Sequence, residues 1–182
     1  MDFSIRDVIE FPVEDVFIAH RDHLVDLVDY LPNIEQIEVK SRQEKEGKIQ
    51  LVNVWKAAST EVPGILRPFV RPEMMKWTDE ATWCQSSYTC EYRIEFGFLN
   101  EAIHCSGINL MKPVDNKSTE VILEGTISID ARKVPGVPKL MARKIGATVE
   151  TFVVKLITPN LRRTNDGVRQ FLRDGHQDKE AS

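Results

Sequence analysis

The sequence predicts an α+β domain: a curved, seven-stranded antiparallel sheet wrapped around a long C-terminal helix, with a helical insertion between strands 1 and 2. Three observations carry this expectation. Period-two alternation recurs in six successive segments between residues 34 and 129, each apolar on one face and charged on the other. One strand and a helical stretch precede them. A single helical stripe of apolar residues, from Leu140 to Ile157, follows them and supplies the only evident cover for the apolar faces.

Residues 3–11 (FSIRDVIEF) read as the first strand, ended by Pro12. Pro12 with Glu14 and Asp15 behind it suits the positive end of a helix dipole. Val16, Phe17, His20, Leu24, Leu27, Val28 and Leu31 then keep helical spacing over 13–31, in one helix or two, until Pro32. Ile37, Val39 and Ser41 begin the alternation. Glu46-Gly47 turns the chain, and Ile49, Leu51, Asn53, Trp55 and Ala57 return as the other arm of a hairpin. Met75 to Trp83, Tyr88 to Phe96, Ala102 to Lys112 and Val121 to Ile129 give four more strands; Gly107 suggests a bulge in the third of these. Pro159 kinks or restarts the terminal helix, which ends near Leu172. Residues 1–173 are therefore read as one domain and 174–182 as a disordered polar tail.

Composition narrows the function classes. Apolar residues at 42% and charged residues at 29% give a globular balance with enough material for a core or an enclosed pocket. No secretory signal and no apolar run long enough to span a bilayer is visible. Three cysteines without CxxC spacing suit free thiols in a reducing, cytoplasmic setting. Residues 132–173 hold ten Lys or Arg against Glu150 and Asp166, a net charge of +8, while residues 1–131 sum to −10. A basic helix lying on an acidic sheet explains this asymmetry, and so does a face for anionic lipid headgroups, in transient contact with a membrane surface. The net charge of −4, with no aromatic-rich basic strand, argues against nucleic acid as a partner.

The order of elements, the Pro12-x-Glu14-x-Val16-Phe17 opening of the first helix, and Tyr30-Leu31-Pro32 before the second strand resemble the START-like superfamily. That group has the helix-grip fold and includes START lipid-transfer domains, pollen-allergen-like ligand carriers and polyketide cyclases or aromatases. The resemblance spans about residues 3–173. It implies a cavity for a lipid, polyketide, sterol or similar apolar small molecule between sheet and helix. Binding or carriage is the leading expectation, and a cyclase-, aromatase- or hydratase-like enzyme using the same cavity is the alternative.

Inward-facing positions line any such cavity: Asn53, Trp55, Trp77, Asp79, Trp83, Tyr88, Tyr92 and Phe96 from the strands, with Met141, Ile145, Phe152 and Leu156 from the helix. Filling a core and lining a pocket call for similar aromatic residues, so both readings stand. Asp79 is the sharper signal, because a buried carboxylate is costly unless paired or functional; a register slip would instead turn it outward. His104 is a further cavity candidate and a potential acid or base. His20 and His23 have metal-compatible spacing but lack a third ligand, so no metal is expected. No P-loop, GxSxG, HExxH or dinucleotide-binding glycine pattern occurs, which leaves no catalytic set and no cofactor to predict. Between Val62 and Pro72, three prolines and a glycine break the alternation. There Ile65, Leu66, Phe69 and Val70, with Arg67 and Arg71, form either a pocket lid or membrane contact, or a segment packed under its own helix end.

Overall fold

The computed structural model describes residues 1–58, 75–97, 100–130, 133 and 162–175. Seven strands form one antiparallel sheet: β1 (Asp2–Ile9), β2 (Ile34–Lys45), β3 (Lys48–Ala57), β4 (Lys76–Cys84), β5 (Thr89–Glu95), β6 (Ile103–Asp115) and β7 (Ser118–Ile129). Their order across the sheet is β1-β7-β6-β5-β4-β3-β2. Consecutive strands from β2 to β7 are neighbours, as short turns require, and the N-terminal strand closes against β7. The connection from β1 to β2 must therefore travel from one edge to the other. It does so as a helix, α1 (Val13–Asp22), and a 3-10 turn (Asp26–Tyr30), which together lie over one face of the sheet.

Local sequence accounts for these elements. Pro12 takes the N-cap position, with ψ near 148°, and Glu14 and Asp15 occupy the first turn of α1. The expected helical stretch breaks at His23, whose backbone N–H returns to Ala19. In the β2–β3 hairpin both turn residues have positive φ, 54° at Glu46 and 72° at Gly47. That matches a two-residue turn whose twist follows the strands.

Two expectations about the strands need correction. Ser41 does not share a face with Ile37 and Val39, because the β2–β3 register shifts between Val39 and Ser41. The extra residue puts Arg42, not Ser41, in line with Leu51, and Arg42 reaches Asp22 at the end of α1, 2.8 Å away. Gly107 marks no bulge, since β5, β6 and β7 stay in register around it. It sits directly opposite Gly125, and a Cβ on either would lie 2.5 Å from the Tyr92 hydroxyl. The two glycines are the space into which the Tyr92 ring is laid, an aromatic covering a cross-strand glycine pair. The hydroxyl donates to the Glu124 carbonyl at 3.3 Å.

One sheet face carries the core. Leu51, Ala81, Trp83, Cys90, Met111 and Val121 pack with Val16 and Phe17 of α1, Leu27 and Leu31 of the connection, and Val168 and Leu172 from the helical residues 162–175. The terminal helix is locked at its far end. Arg169 pairs with Asp7 of β1 at 2.5 Å and donates to the Val8 carbonyl at 2.9 Å, and Asn165 also donates to Asp7. Gly167 lets this helix approach closely, since a Cβ there would stand 2.9 Å from Leu31. A helix-covered, seven-stranded antiparallel sheet of this order is the helix-grip fold. The Leu140–Ile157 stripe and the tail from residue 176 lie outside the described residues.

Candidate ligand-binding site

The register sorts the core-facing side chains into rows across the sheet. At one end Trp55 and Trp77 oppose each other on β3 and β4. The next row runs Asn53, Asp79, Ile94, Cys105 and Ile127; the one after runs Leu51, Ala81, Tyr92, Gly107 and Gly125. A fourth runs Ile49, Trp83, Cys90, Asn109 and Leu123. Strict two-residue alternation, with no shift in β3, β4 or β5, puts all of these on the face that bears the core.

The end under α1 is filled. Phe17 is fully buried and meets Trp83 and Tyr88 edge-on, with ring centroids 5.3 and 5.4 Å away. Polar atoms here mostly have partners. The Tyr88 hydroxyl donates to Glu14 at 2.7 Å, and this bond raises the phenol's pKa; Gln85 donates to the other Glu14 oxygen. Arg21 donates to Gln85 at 2.6 Å and lies over the Phe17 ring. Tyr88, expected to line a cavity, thus has its hydroxyl committed to α1.

Toward the other end the polar atoms lack partners. Asn53 is 1% exposed, donates to Asp79 at 3.3 Å, and leaves its own Oδ1 unbonded. The Trp55 indole N–H is likewise buried without a hydrogen-bond partner, and so, in the row nearer α1, are the Trp83 indole N–H and the Asn109 Oδ1. Desolvation pushes the Asp79 carboxyl up to about 6; the Asn53 amide and the nearby Trp55 indole pull it back only in part, and Glu80 adds to the rise. Around it, burial, then Cys105, then Asp79 and Cys90 raise the Tyr92 phenol well above its usual range, and burial first and then the Asp79 charge raise the thiol of Cys105 to about 11. The Cys90 thiol rises from the same causes. Trp55 and Trp77 stack beside this row, 5.8 Å between centroids and 14° from parallel.

Of the other candidates, Phe96 is half-buried just past the end of β5. His104 is a correction: Cys105 takes the inward position, paired with Ile94 and Ile127, so His104 points from the opposite face and is exposed. The two histidines of α1 are engaged separately. Buried His20 places its Nδ1 2.8 Å from the Val16 carbonyl, and exposed His23 its Nδ1 2.8 Å from Asp26. No group of three or more metal-ligating side chains occurs among the described residues. Met141, Ile145, Phe152, Leu156 and the Ile65–Arg71 group lie outside the described residues. The sequence reading missed Asn109, because Ile108 and Leu110 beside it are apolar too and left the phase of β6 open. Elsewhere, an open depression of about 590 Å3 runs over Asp2, Ser106, Gly107, Glu124 and Gly125, and none of the unpartnered buried atoms lines it.

Fold and site together describe a helix-grip domain with an incompletely satisfied polar patch inside its sheet. Solved structures with the same fold include TTHA0849 from Thermus thermophilus, at 19% identity and TM-score 0.67 over 93% of this chain and 95% of that one. The Zhui aromatase/cyclase from Streptomyces sp. R1128 matches at 13% identity and TM-score 0.64, over 93% and 92%. Norcoclaurine synthase from Thalictrum flavum matches at 14% and 0.61, over 94% and 86%. No sequence family model and no curated protein matches the chain.

Proposed function

We propose that this protein binds, and in its leading use carries, an apolar small molecule held against the inner face of the sheet between Trp55–Trp77 and Trp83. The observation that supports this best is the set of four buried polar atoms without partners: Asn53 Oδ1, Trp55 Nε1, Trp83 Nε1 and Asn109 Oδ1. An unmet buried donor or acceptor costs roughly 1–3 kcal/mol, so several on one face call for a guest or ordered water to meet them. The surrounding aromatic and aliphatic side chains provide the apolar contact, and a few fixed polar groups set orientation. Phe69 and Leu66 are proposed as lid or membrane-contact residues; substituting either by Asp is expected to stop ligand transfer while leaving folding intact. Native mass spectrometry of the protein purified from its host tests the reading: a co-purifying small molecule supports it, and a protein that stays ligand-free and takes up no apolar dye refutes it.

A second reading, a cyclase- or hydratase-like enzyme, is favoured by one feature, the Asp79 carboxyl raised to about 6. A carboxyl in that range can both take and return a proton near neutral pH. Aromatase/cyclases and norcoclaurine synthase share the fold, which makes such chemistry compatible with it. If the protein is an enzyme, Asp79→Asn abolishes turnover while ligand binding persists.

A further inference from the structure

We propose that the ligand of this site is a cation: an apolar, aromatic body carrying a protonated amine whose N–H groups meet Asp79, with Asn53 beside it and the stacked rings of Trp55 and Trp77 alongside. The proposal rests on the binding reading above and specifies the chemistry of that same site.

Charge is the first argument. Charged strand residues in the inward phase of the described sheet include Asp7, Arg42, Asp79 and, exposed near the hairpin end, Glu44. Asp7 is paired with Arg169 and Arg42 with Asp22. Asp79 has no cationic partner among the described residues; its hydrogen bond comes from the neutral Asn53 amide. The titratable groups that feel its charge, Cys90, Cys105 and Tyr92, are all held in their neutral forms. Glu80, next in the chain, points out of the opposite face and is also acidic. A carboxylate so placed is costly until a counter-charge arrives.

Hydrogen-bond type is the second argument. Beside Asp79 the unmet atoms are one acceptor, Asn53 Oδ1, and one donor, the Trp55 indole N–H, while the Asp79 carboxylate has acceptor capacity to spare, so acceptors predominate. An ammonium group brings up to three donors and no acceptor, which fits this excess. An anionic headgroup would bring acceptors and a like charge to the same spot. Ring geometry is the third. The Trp55–Trp77 pair lies in the row adjoining Asn53 and Asp79, and tryptophan faces attract cations as well as aromatic bodies.

The test compares three ligands of similar size and different charge: 2-phenylethylamine, 2-phenylethanol and 3-phenylpropanoate, titrated into the full chain at pH 7.5 and followed by tryptophan fluorescence and calorimetry. Nile red, a neutral polarity-sensitive dye, is titrated in parallel as a probe of the apolar site itself. The amine is expected to bind at least tenfold more tightly than the alcohol, and the carboxylate most weakly. In Asp79→Asn the amine's advantage falls to about the level of the alcohol, while Nile red binding persists. A wild-type pH series needs no variant: amine affinity rises between pH 5 and 7.5 as Asp79 ionises around pH 6, while the alcohol shows no such rise. Nile red binding with no preference for the amine, or an amine preference that survives Asp79→Asn, overturns this inference and leaves the binding reading standing. Failure of Nile red and all three ligands to bind overturns both.

Discussion

The two ends of the inner sheet face use similar residue types to opposite effect. Under α1, Phe17, Trp83 and Tyr88 interlock edge-to-face, and Glu14 takes up the Tyr88 hydroxyl and the Gln85 amide. At the Asn53–Asp79 row the aromatics are stacked and half-buried, and the polar groups between them are left short of partners. The first arrangement is packed and, apart from the Trp83 indole N–H, largely paired within the chain itself. The second becomes complete only with something added, so the contrast separates residues that hold the fold from residues that await a ligand.

The sharpest way to break this comparison is to empty the filled end. Phe17→Ala removes a fully buried ring, and a loss of about 3–5 kcal/mol in chemical denaturation is expected. A loss under about 1 kcal/mol would mean that this end is loosely packed as well.

At the other end, Asp79→Asn is expected to stabilise the ligand-free protein. The Asp79 carboxyl rises from 3.8 to about 6 on folding, so the native state holds its proton more tightly than the unfolded chain. Stability therefore falls as pH rises from about 4 to 6 and stays lower above that. The full shift corresponds to roughly 3 kcal/mol, an upper bound for a half-buried group. The variant should gain about 1–3 kcal/mol at pH 8 and nothing at pH 3.5, read from urea midpoints at the two pH values.

Smaller still, Tyr88→Phe leaves Glu14 with one bond fewer and should lose about 1 kcal/mol, with Nile red uptake unchanged. An equal loss of dye binding would merge the two ends into one site. The smallest effect concerns His20, which is buried and whose pKa is lowered by desolvation. Its neutral form is the native one, so its contribution to stability is lost as pH falls below the unfolded value of 6.5. His20→Asn should flatten that acid-side decline. The same cause, removal of a charge from water, thus makes His20 penalise acid conditions and Asp79 penalise alkaline ones.

Much of the architecture was legible in the chain. Alternation in Trp77, Asp79, Ala81 and Trp83, or in Cys90, Tyr92 and Ile94, depends on a two-residue period that any strand imposes. The Glu46-Gly47 turn followed from its residues, because a tight hairpin demands positive φ there. The face of Ser41 was not legible, since one inserted residue in β2 inverts every position after it. Nor was the phase of β6, where His104, Ile108 and Leu110 alternate with Cys105, Asn109 and Met111 and neither set is plainly polar.

The sequence by itself determined the succession of strands along the chain, the apolar side of β3, β4, β5 and β7, and the presence of a carboxylate among tryptophans. Only the tertiary structure decided that Asn53 is the partner of Asp79, that Tyr88 is committed to Glu14, that Tyr92 fills the hollow of Gly107 and Gly125, and that His104 points away. The physical reason is that alternation is a property of one strand, whereas partnership and burial depend on registers between strands and on the helices laid over them. A short stretch of sequence states the first, and only the folded chain states the second.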